Sequence, residues 1–290
     1  MARCQYCGKP ARPFRSHHQA CHDRHQRATT LIPNFFTKVL DSPIPAERFS
    51  LLLRDAAQAA FIDDQQLGAL CIAGTSELIA TVLEQRLPTP AEEQRILEIL
   101  SAIDPRLAAD PGLEEIFAKI QILRELGDGK TPDLVEVGGT MPVKLRRGEP
   151  VLWIFNDAKA FRKPAGKEPA YGHDVHAADR TYLGLARFHR NLRAPRRFAD
   201  DRIGDMMLTN FNLYFFPRSG KMMRIPVARI LWVEPYANGV NVHYGPQDRS
   251  WAYLVPDPWF LTNALALLTW SVRRDGSAAA TPLVAGPPPR

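Results

Sequence analysis

The sequence predicts a multi-domain α+β protein with a small metal-binding module, an all-helical middle domain and a compact β-rich domain that ends in a helix. Three of the four cysteines and four of the eight histidines fall within the first 25 residues. Apolar residues then recur at helical spacing as far as residue 128. After residue 150, short apolar runs separated by turn residues replace them. A length of 290 residues suits two or three such domains.

The composition indicates a globular chain without a membrane anchor. The chain is 45% hydrophobic and 23% charged, which is ordinary for globular proteins. The longest apolar run, residues 261–272, is interrupted by polar residues and is too short to span a bilayer. The first residues carry no apolar stretch of the kind found in signal peptides. We therefore expect no membrane span and a cytoplasmic location.

Residues 1–27 form the predicted metal module. Cys4 and Cys7 are separated by two residues and are followed by Gly8, and this spacing makes a tight turn that presents both thiols. Cys21 follows among histidines. In a chain without a signal peptide, cysteines clustered with histidines indicate a metal site rather than a disulfide framework.

The fourth ligand is expected to be a histidine on the helix that carries Cys21. We expect this helix to begin at His17, with Ser16 as its N-cap. Tetrahedral zinc takes four ligands, and three thiols leave one place for a histidine. His18 is preferred because it precedes Cys21 by three residues, with His25 second and His17 third.

This pattern resembles that of treble-clef zinc fingers, in which a knuckle and the first turn of a helix hold one ion. It is also similar to the short zinc-binding N-termini of uncharacterised bacterial proteins. Because such a set leaves no position for water, we expect a structural rather than a catalytic ion. The expected ligands of this Zn²⁺ are Cys4, Cys7, His18 and Cys21.

Residues 28–128 form the predicted helical domain. Helices are expected at four places: residues 46–62, residues 65–87, after Thr89 and after Asp110. At the last two, a capping residue precedes a proline, which favours a helix start. Glu92 follows Thr89 by three residues and completes a capping box. From residue 41 to 128 there are 16 acidic and 7 basic residues, net −9, whereas the rest of the chain carries +15.

Residues 129–150 are the predicted linker to the β-rich domain, residues 151–275. Short strand-like runs with turn signals between them favour a small closed barrel or sandwich. The expected strands are residues 151–155, 182–188, 207–216, 222–226, 229–234, 239–244 and 251–255. A helix is expected at residues 259–274. The last residues, 276–290, are rich in proline and are predicted to be disordered.

Several motifs occur in this region: R-G-E-P-V-L-W-I-F from Arg147, T-N-x-x-L-Y-F from Thr209, R-I-P from Arg224 and E-P-Y-x-x-G from Glu234. Over residues 145–270 the pattern resembles that of bacterial pleckstrin-homology-like domains of the GRAM type. The resemblance implies a PH-like β-barrel with a C-terminal helix, and a positive φ at Gly239. Domains of this shape bind lipids, proteins or neither. The residues expected to pack the barrel are Leu213, Phe215, Ile225 and Ile230.

The sequence favours binding rather than catalysis. No motif for nucleophilic, metal-dependent or paired-carboxylate catalysis is present. His173 and His176 lie beside Asp174 but have no cysteine or glutamate partner nearby, so a pair of loop histidines is expected. We expect a non-enzymatic, zinc-containing adaptor that binds another macromolecule, in the first place a protein. The alternative is a nucleic-acid-binding protein that uses the zinc finger and the arginine-rich stretch 187–202, although that stretch could instead dock the acidic helices. Peripheral lipid binding ranks third, because no amphipathic anchor accompanies the barrel.

Overall fold

The computed structural model divides the chain into two compact units, residues 1–120 and 121–290. It is α+β, with helices in the first unit and an antiparallel sheet in the second. The described residues are 2–12, 14–132, 143–162, 175–176, 182–188, 191–192, 202–245 and 249–276.

Six helices are described up to residue 127, and the division between the units falls inside the last of them. The predicted helices correspond to the second, third, fourth and sixth. In the first unit α1 packs against α3, and α2 packs against α4. The helices are α1 (Gln19–Phe36), α2 (Ala46–Ala59), α3 (Asp64–Leu83), α4 (Pro90–Ile103), α5 (Pro105–Ala108) and α6 (Pro111–Gly127).

Helix α1 is continuous over 18 residues. The boundary predicted between residues 27 and 28 therefore falls within it, and one helix serves both the metal module and the helical region. Its second half is held against α3, where Ile32 and Phe36 are fully buried. Helices α1 and α3 are so close at Gly74 of α3 that a Cβ added there would lie only 2.7 Å from the Pro33 carbonyl oxygen.

The capping signals read from the sequence are confirmed. At the start of α4, the Thr89 hydroxyl accepts from the Glu92 amide at 3.2 Å, and the Glu92 carboxylate accepts from the Thr89 amide at 2.7 Å. At the start of α6, the Asp110 carboxylate accepts from the amides of Gly112 and Leu113. Each carboxylate or hydroxyl satisfies a backbone donor that the helix itself cannot satisfy.

Helix α3 is long and apolar enough to cross a membrane, by length and composition alone. The longest apolar helix is therefore here and not at residues 261–272. A core helix has the same composition, and α3 packs against α1 with Cys71 and Leu78 buried.

Eight strands form one antiparallel sheet in the order β2-β6-β7-β8-β1-β3-β4-β5. A seventh helix follows them and packs against β6 and β7. The strands are β1 (Val151–Phe161), β2 (Val175–His176), β3 (Ile203–Thr209), β4 (Asn212–Pro217), β5 (Met223–Pro226), β6 (Ile230–Tyr236), β7 (Gly239–Tyr244) and β8 (Arg249–Leu254), and the helix is α7 (Pro258–Gly276).

The sheet is open, and the prediction of a closed barrel is corrected here. Among the described residues the pairing ends at β5 on one side and at β2, only two residues long, on the other. The long strand β1 joins the two halves, since it pairs with β3 along most of its length and with β8 at its end. Closure depends on tilt and register between strands, which strand count and turn residues do not encode.

Two of the predicted strands are wrong in kind or extent. Residues 182–188 contain a short 3₁₀ helix, Leu185–Arg187, instead of a strand. In this segment the Leu183 amide donates to the side-chain oxygen of Asn263, on α7, at 2.8 Å. The single strand predicted at residues 207–216 is a hairpin, β3 and β4, because the Thr209 hydroxyl accepts from the amides of Phe211 and Asn212 and turns the chain.

The predicted core of the sheet is confirmed. Phe215 and Ile230 are each 1% exposed, and Leu213 and Ile225 are also buried. A positive φ was expected to require glycine at position 239, but the φ of Gly239 is not positive. A side chain is excluded there because an added Cβ would lie 2.2 Å from the Tyr253 carbonyl oxygen of the neighbouring strand.

Candidate metal centre

Residues 2–10 form a small knuckle that presents two thiols. Gly8 adopts a φ of +69°, which favours glycine, and its amide donates to the Cys4 carbonyl at 2.9 Å. The Cys4 amide donates to the Lys9 carbonyl at 2.9 Å, and Arg3 pairs with Pro10 in an antiparallel bridge. These bonds fold the chain back on itself immediately after Cys7.

The helix that supplies the other ligands begins two residues later than expected. His18, not Ser16, is the N-cap residue of α1, and its backbone is extended. The His18 carbonyl accepts from the Cys21 and His22 amides, whereas the Ser16 hydroxyl contacts His17 instead of capping the helix. As a result, His18 and Cys21 lie on the first turn and face the knuckle.

Four side chains come together where the knuckle meets this turn. The ligand atoms of Cys4, Cys7, His18 and Cys21 all lie within 4.8 Å of one another. The His18 Nδ1 atom is 3.3 Å from the Cys7 sulfur and 3.8 Å from the Cys21 sulfur. Tetrahedral zinc with ordinary bond lengths separates sulfur and nitrogen ligands by about 3.6 Å, so the group fits one such ion.

Outer contacts orient the ligands. The His18 Nε2 atom is 2.9 Å from the Pro10 carbonyl oxygen, to which it donates when Nδ1 is the ligand atom. The His18 amide also donates to the Cys4 sulfur at 3.4 Å, and Cys4 is only 2% exposed. Metal-bound histidines commonly have such a carbonyl partner, which fixes the ring and its tautomer.

The charges of the site favour a cation. Burial raises the pKa of the Cys4 thiol, but the backbone amides of Cys7, His18 and Tyr6 outweigh it and lower that pKa to about 6. Burial, with the adjacent Cys7 sulfur, raises the pKa of Cys21 to about 11. The Cys21 thiol therefore does not ionise readily on its own, whereas a bound divalent ion would stabilise its thiolate.

The alternative histidine ligands lie outside the cluster. The His25 Nδ1 atom is 3.0 Å from the Ala60 carbonyl oxygen, and the His25 ring packs 4.9 Å from that of Tyr6. The His17 ring packs on His22 at 4.7 Å. His25 therefore connects the metal module to the end of α2, a role that the i+4 spacing from Cys21 did not reveal.

One buried carboxylate was missed by the sequence reading. Glu149 is 4% exposed and accepts from Thr209, Asn212 and Tyr214 side chains and from the Arg146 amide. Burial raises its pKa, but these donors outweigh burial and lower it. The cluster is fully hydrogen-bonded and ties the start of β1 to the β3–β4 turn, which is a structural role.

An open groove of about 890 Å³ lies between α2 and α4. Two arginines that line it, Arg95 and Arg54, donate to the backbone carbonyls of Ile44 and Ile103. Leu51 and Leu97 supply its apolar part. Among the described residues, the lining contributes to no group of potential metal ligands.

Some predicted features lie outside the described residues. They are residues 133–142 of the linker, His173, most of the arginine-rich stretch 187–202 and the tail from residue 277. His176, the other member of the predicted pair, lies in β2. No family model, no curated protein and no solved structure matches this chain.

Proposed function

We propose that this protein is a non-enzymatic adaptor whose N-terminal module is a zinc finger held by one structural Zn²⁺. The observation that carries the proposal is the closed set of three cysteines and one histidine. Thiolate and imidazole ligands in tetrahedral arrangement are those that zinc prefers, and four protein ligands leave no place for a reacting water. The ion would contribute stability to the module and no catalytic step.

The second part of the proposal is that the sheet and α7 form a PH-like domain. Successive antiparallel strands followed by one helix packed on β6 and β7 support it. Buried Leu213, Phe215, Ile225 and Ile230 support the expected core. A domain of this shape would act as an interaction module in a bacterial-type cytoplasm, and its shape alone does not select the partner.

The partner surface is proposed to lie on α1, beside the zinc ligands. Arg24, Arg27, Leu31 and Phe35 follow one another at i, i+3, i+7 and i+11, so they share one helix face. All four are exposed, with Leu31 at 53% and Phe35 at 49%. Two large apolar side chains one turn apart are typical of a helix face that anchors a protein partner.

The chemistry of this face selects an acidic protein partner. The cations of Arg24 and Arg27 precede the apolar pair, and Lys38 follows it just beyond the helix. A partner with carboxylates around an apolar patch would satisfy both features, and opposite charges would steer it to the face. An adjacent face of α1, about 100° around the helix, is buried in the unit through Ile32 and Phe36.

The test is a pull-down. The immobilised protein is incubated with a nuclease-treated lysate of the native host, and the captured proteins are identified. Leu31→Ser with Phe35→Ser should abolish capture of acidic proteins that the wild type retains. A matched control is Leu51→Ser with Leu52→Ser on α2, since these two leucines, at 60% and 52%, are at least about as exposed as Leu31 and Phe35. All four changes are on the surface and should leave stability within about 0.5 kcal/mol.

Equal capture by the wild type and the α1 variant would contradict this surface. Loss of capture only in the α2 control would place the partner site on the other helix. Capture that disappears on nuclease treatment would favour a nucleic-acid bridge over a protein partner.

A further inference from the structure

A second cationic surface lies at the knuckle and is distinct from the α1 face. Four exposed cationic side chains lie on the knuckle and on the loop that follows it: Arg3, Lys9, Arg12 and Arg15. In the described part of the chain, none of them forms an ion pair or a side-chain hydrogen bond. They lie close together, because Arg3 pairs with Pro10 and the Gln5 amide donates to the Ser16 carbonyl at 2.9 Å.

Phe14 lies between Arg12 and Arg15 in the sequence. It is completely exposed and adopts a positive φ of 64°, which is uncommon for a bulky residue. Arg12 and Arg15 flank it in the same loop, and the Arg15 amide donates to the Arg12 carbonyl at 3.1 Å. An exposed aromatic ring with an arginine on either side of it in the sequence offers a stacking platform.

We propose that the knuckle loop binds single-stranded nucleic acid without base specificity. Arg3, Lys9, Arg12 and Arg15 would contact phosphates, and Phe14 would stack on a base. The only carboxylate of residues 2–27 is Asp23, which accepts from the Gln19 side chain at 2.7 Å and so is already engaged. The surface is separate from the α1 face, so this inference goes beyond the adaptor function and does not depend on it.

The size of the effect follows from counterion release. Each phosphate neutralised on a single strand contributes about −0.7 to the slope of log affinity against log salt. Four cations therefore predict a slope of about −3. Non-specific binding of this kind has dissociation constants of about 10⁻⁴ to 10⁻⁶ M at physiological salt.

The experiment is fluorescence anisotropy of full-length protein, with its metal content measured, on a labelled random-sequence DNA 20-mer in single-stranded and duplex form. The salt series should give a slope of about −3 for the single strand. Arg12→Ala with Arg15→Ala should reduce that slope to about −1.5. Phe14→Ala should weaken single-strand binding about fivefold or more and change duplex binding little.

A matched control removes two exposed cations elsewhere: Arg48→Ala with Lys221→Ala. It lowers the net charge equally but should leave the slope near −3, within about half a unit. Leu31→Ser with Phe35→Ser should leave oligonucleotide binding unchanged, which separates this inference from the adaptor proposal.

Three results would overturn the proposal. The first is a salt slope near zero for the wild type. The second is an equal loss of slope in the loop variant and in the charge-matched control, because the effect would then be one of net charge. The third is displacement of the oligonucleotide by vesicles containing phosphatidylserine at matched phosphate concentration, with Phe14→Ala affecting vesicles as strongly as DNA, which would indicate a membrane surface.

Discussion

Phe215 and Phe216 are neighbours in β4 but face opposite sides of the sheet. Phe215 is 1% exposed and packs near Tyr253, with ring centroids 6.0 Å apart. Phe216 is only partly buried and packs beside Tyr214 at the edge of a smaller cluster. Because side chains alternate along a strand, truncating these two adjacent phenylalanines should lower stability by different amounts.

Phe215→Ala should lower the free energy of unfolding by about 3–5 kcal/mol, because it leaves a cavity in a packed core. Phe216→Ala is the matched control and should cost about 1–2 kcal/mol, since less apolar area is lost. Urea unfolding of the full chain, followed by a probe in the second unit, measures both. Similar costs for the two variants would mean that the register of β4 is wrong.

At the same scale, the ligand residues were readable because their chemistry is local. Two cysteines separated by two residues, and a third cysteine that follows a histidine by three positions, indicate three thiol ligands and a nearby histidine. The spacing favoured His18 but left His25 and His17 as alternatives. The start of α1 was less readable, since His18 lacks a capping side chain and a serine two residues earlier gives a stronger signal. Glu149 could not be predicted, because its partners lie about sixty residues away in sequence.

At the scale of elements, the start of α4 couples helix capping to an ion pair. The Glu92 carboxylate caps the Thr89 amide and also accepts from both terminal nitrogens of Arg86, at 2.6 and 2.7 Å. The Arg86 guanidinium, followed by the Thr89 amide and hydroxyl, lowers the pKa of Glu92 from 4.5 to about 2. The charged form therefore stabilises the folded helix.

This geometry predicts a pH dependence for Glu92→Gln. A carboxyl whose pKa is lowered on folding contributes stability above its unfolded pKa, and the contribution is lost as the pH falls through the folded pKa. The variant should therefore be less stable than the wild type by about 1 kcal/mol at pH 7, since surface pairs are screened by water. The difference should shrink below about pH 4.5 and vanish near pH 2.

Urea unfolding at several pH values measures this difference wherever both proteins remain folded. Glu77→Gln is the control, because Glu77 is an exposed helical glutamate on α3 without an ion pair in the described residues. A difference for Glu92→Gln that does not change between pH 7 and pH 3 would argue against the capping ion pair.

Elements were predicted well where their signals are local. Helix starts with a cap and a proline, and strands bounded by turn residues, appear close to the expected positions. The segment at residues 182–188 was read as a strand because its apolar content is high, but a long-range bond from Asn263 sets its conformation. The hairpin at Thr209 was read as one strand because no glycine marks the turn.

At the scale of the whole molecule, the order of modules was predictable and their limits were not. Composition changes separate a metal module, a helical region and a sheet, but α1 runs through the first predicted boundary. Contacts of Arg24 and His25 with the end of α2 hold the metal module to the helical region. Such contacts, like the open edges of the sheet, depend on distant parts of the chain.

The central claim is that one structural Zn²⁺ holds the N-terminal module. Elemental analysis of the full-length protein, purified without chelator or added metal, tests it most directly. We expect about one zinc per chain, loss of the ion in Cys4→Ser with Cys7→Ser, and full retention in His25→Ala. Less than about half an equivalent in the wild type, or undiminished zinc in the cysteine variant, would contradict it.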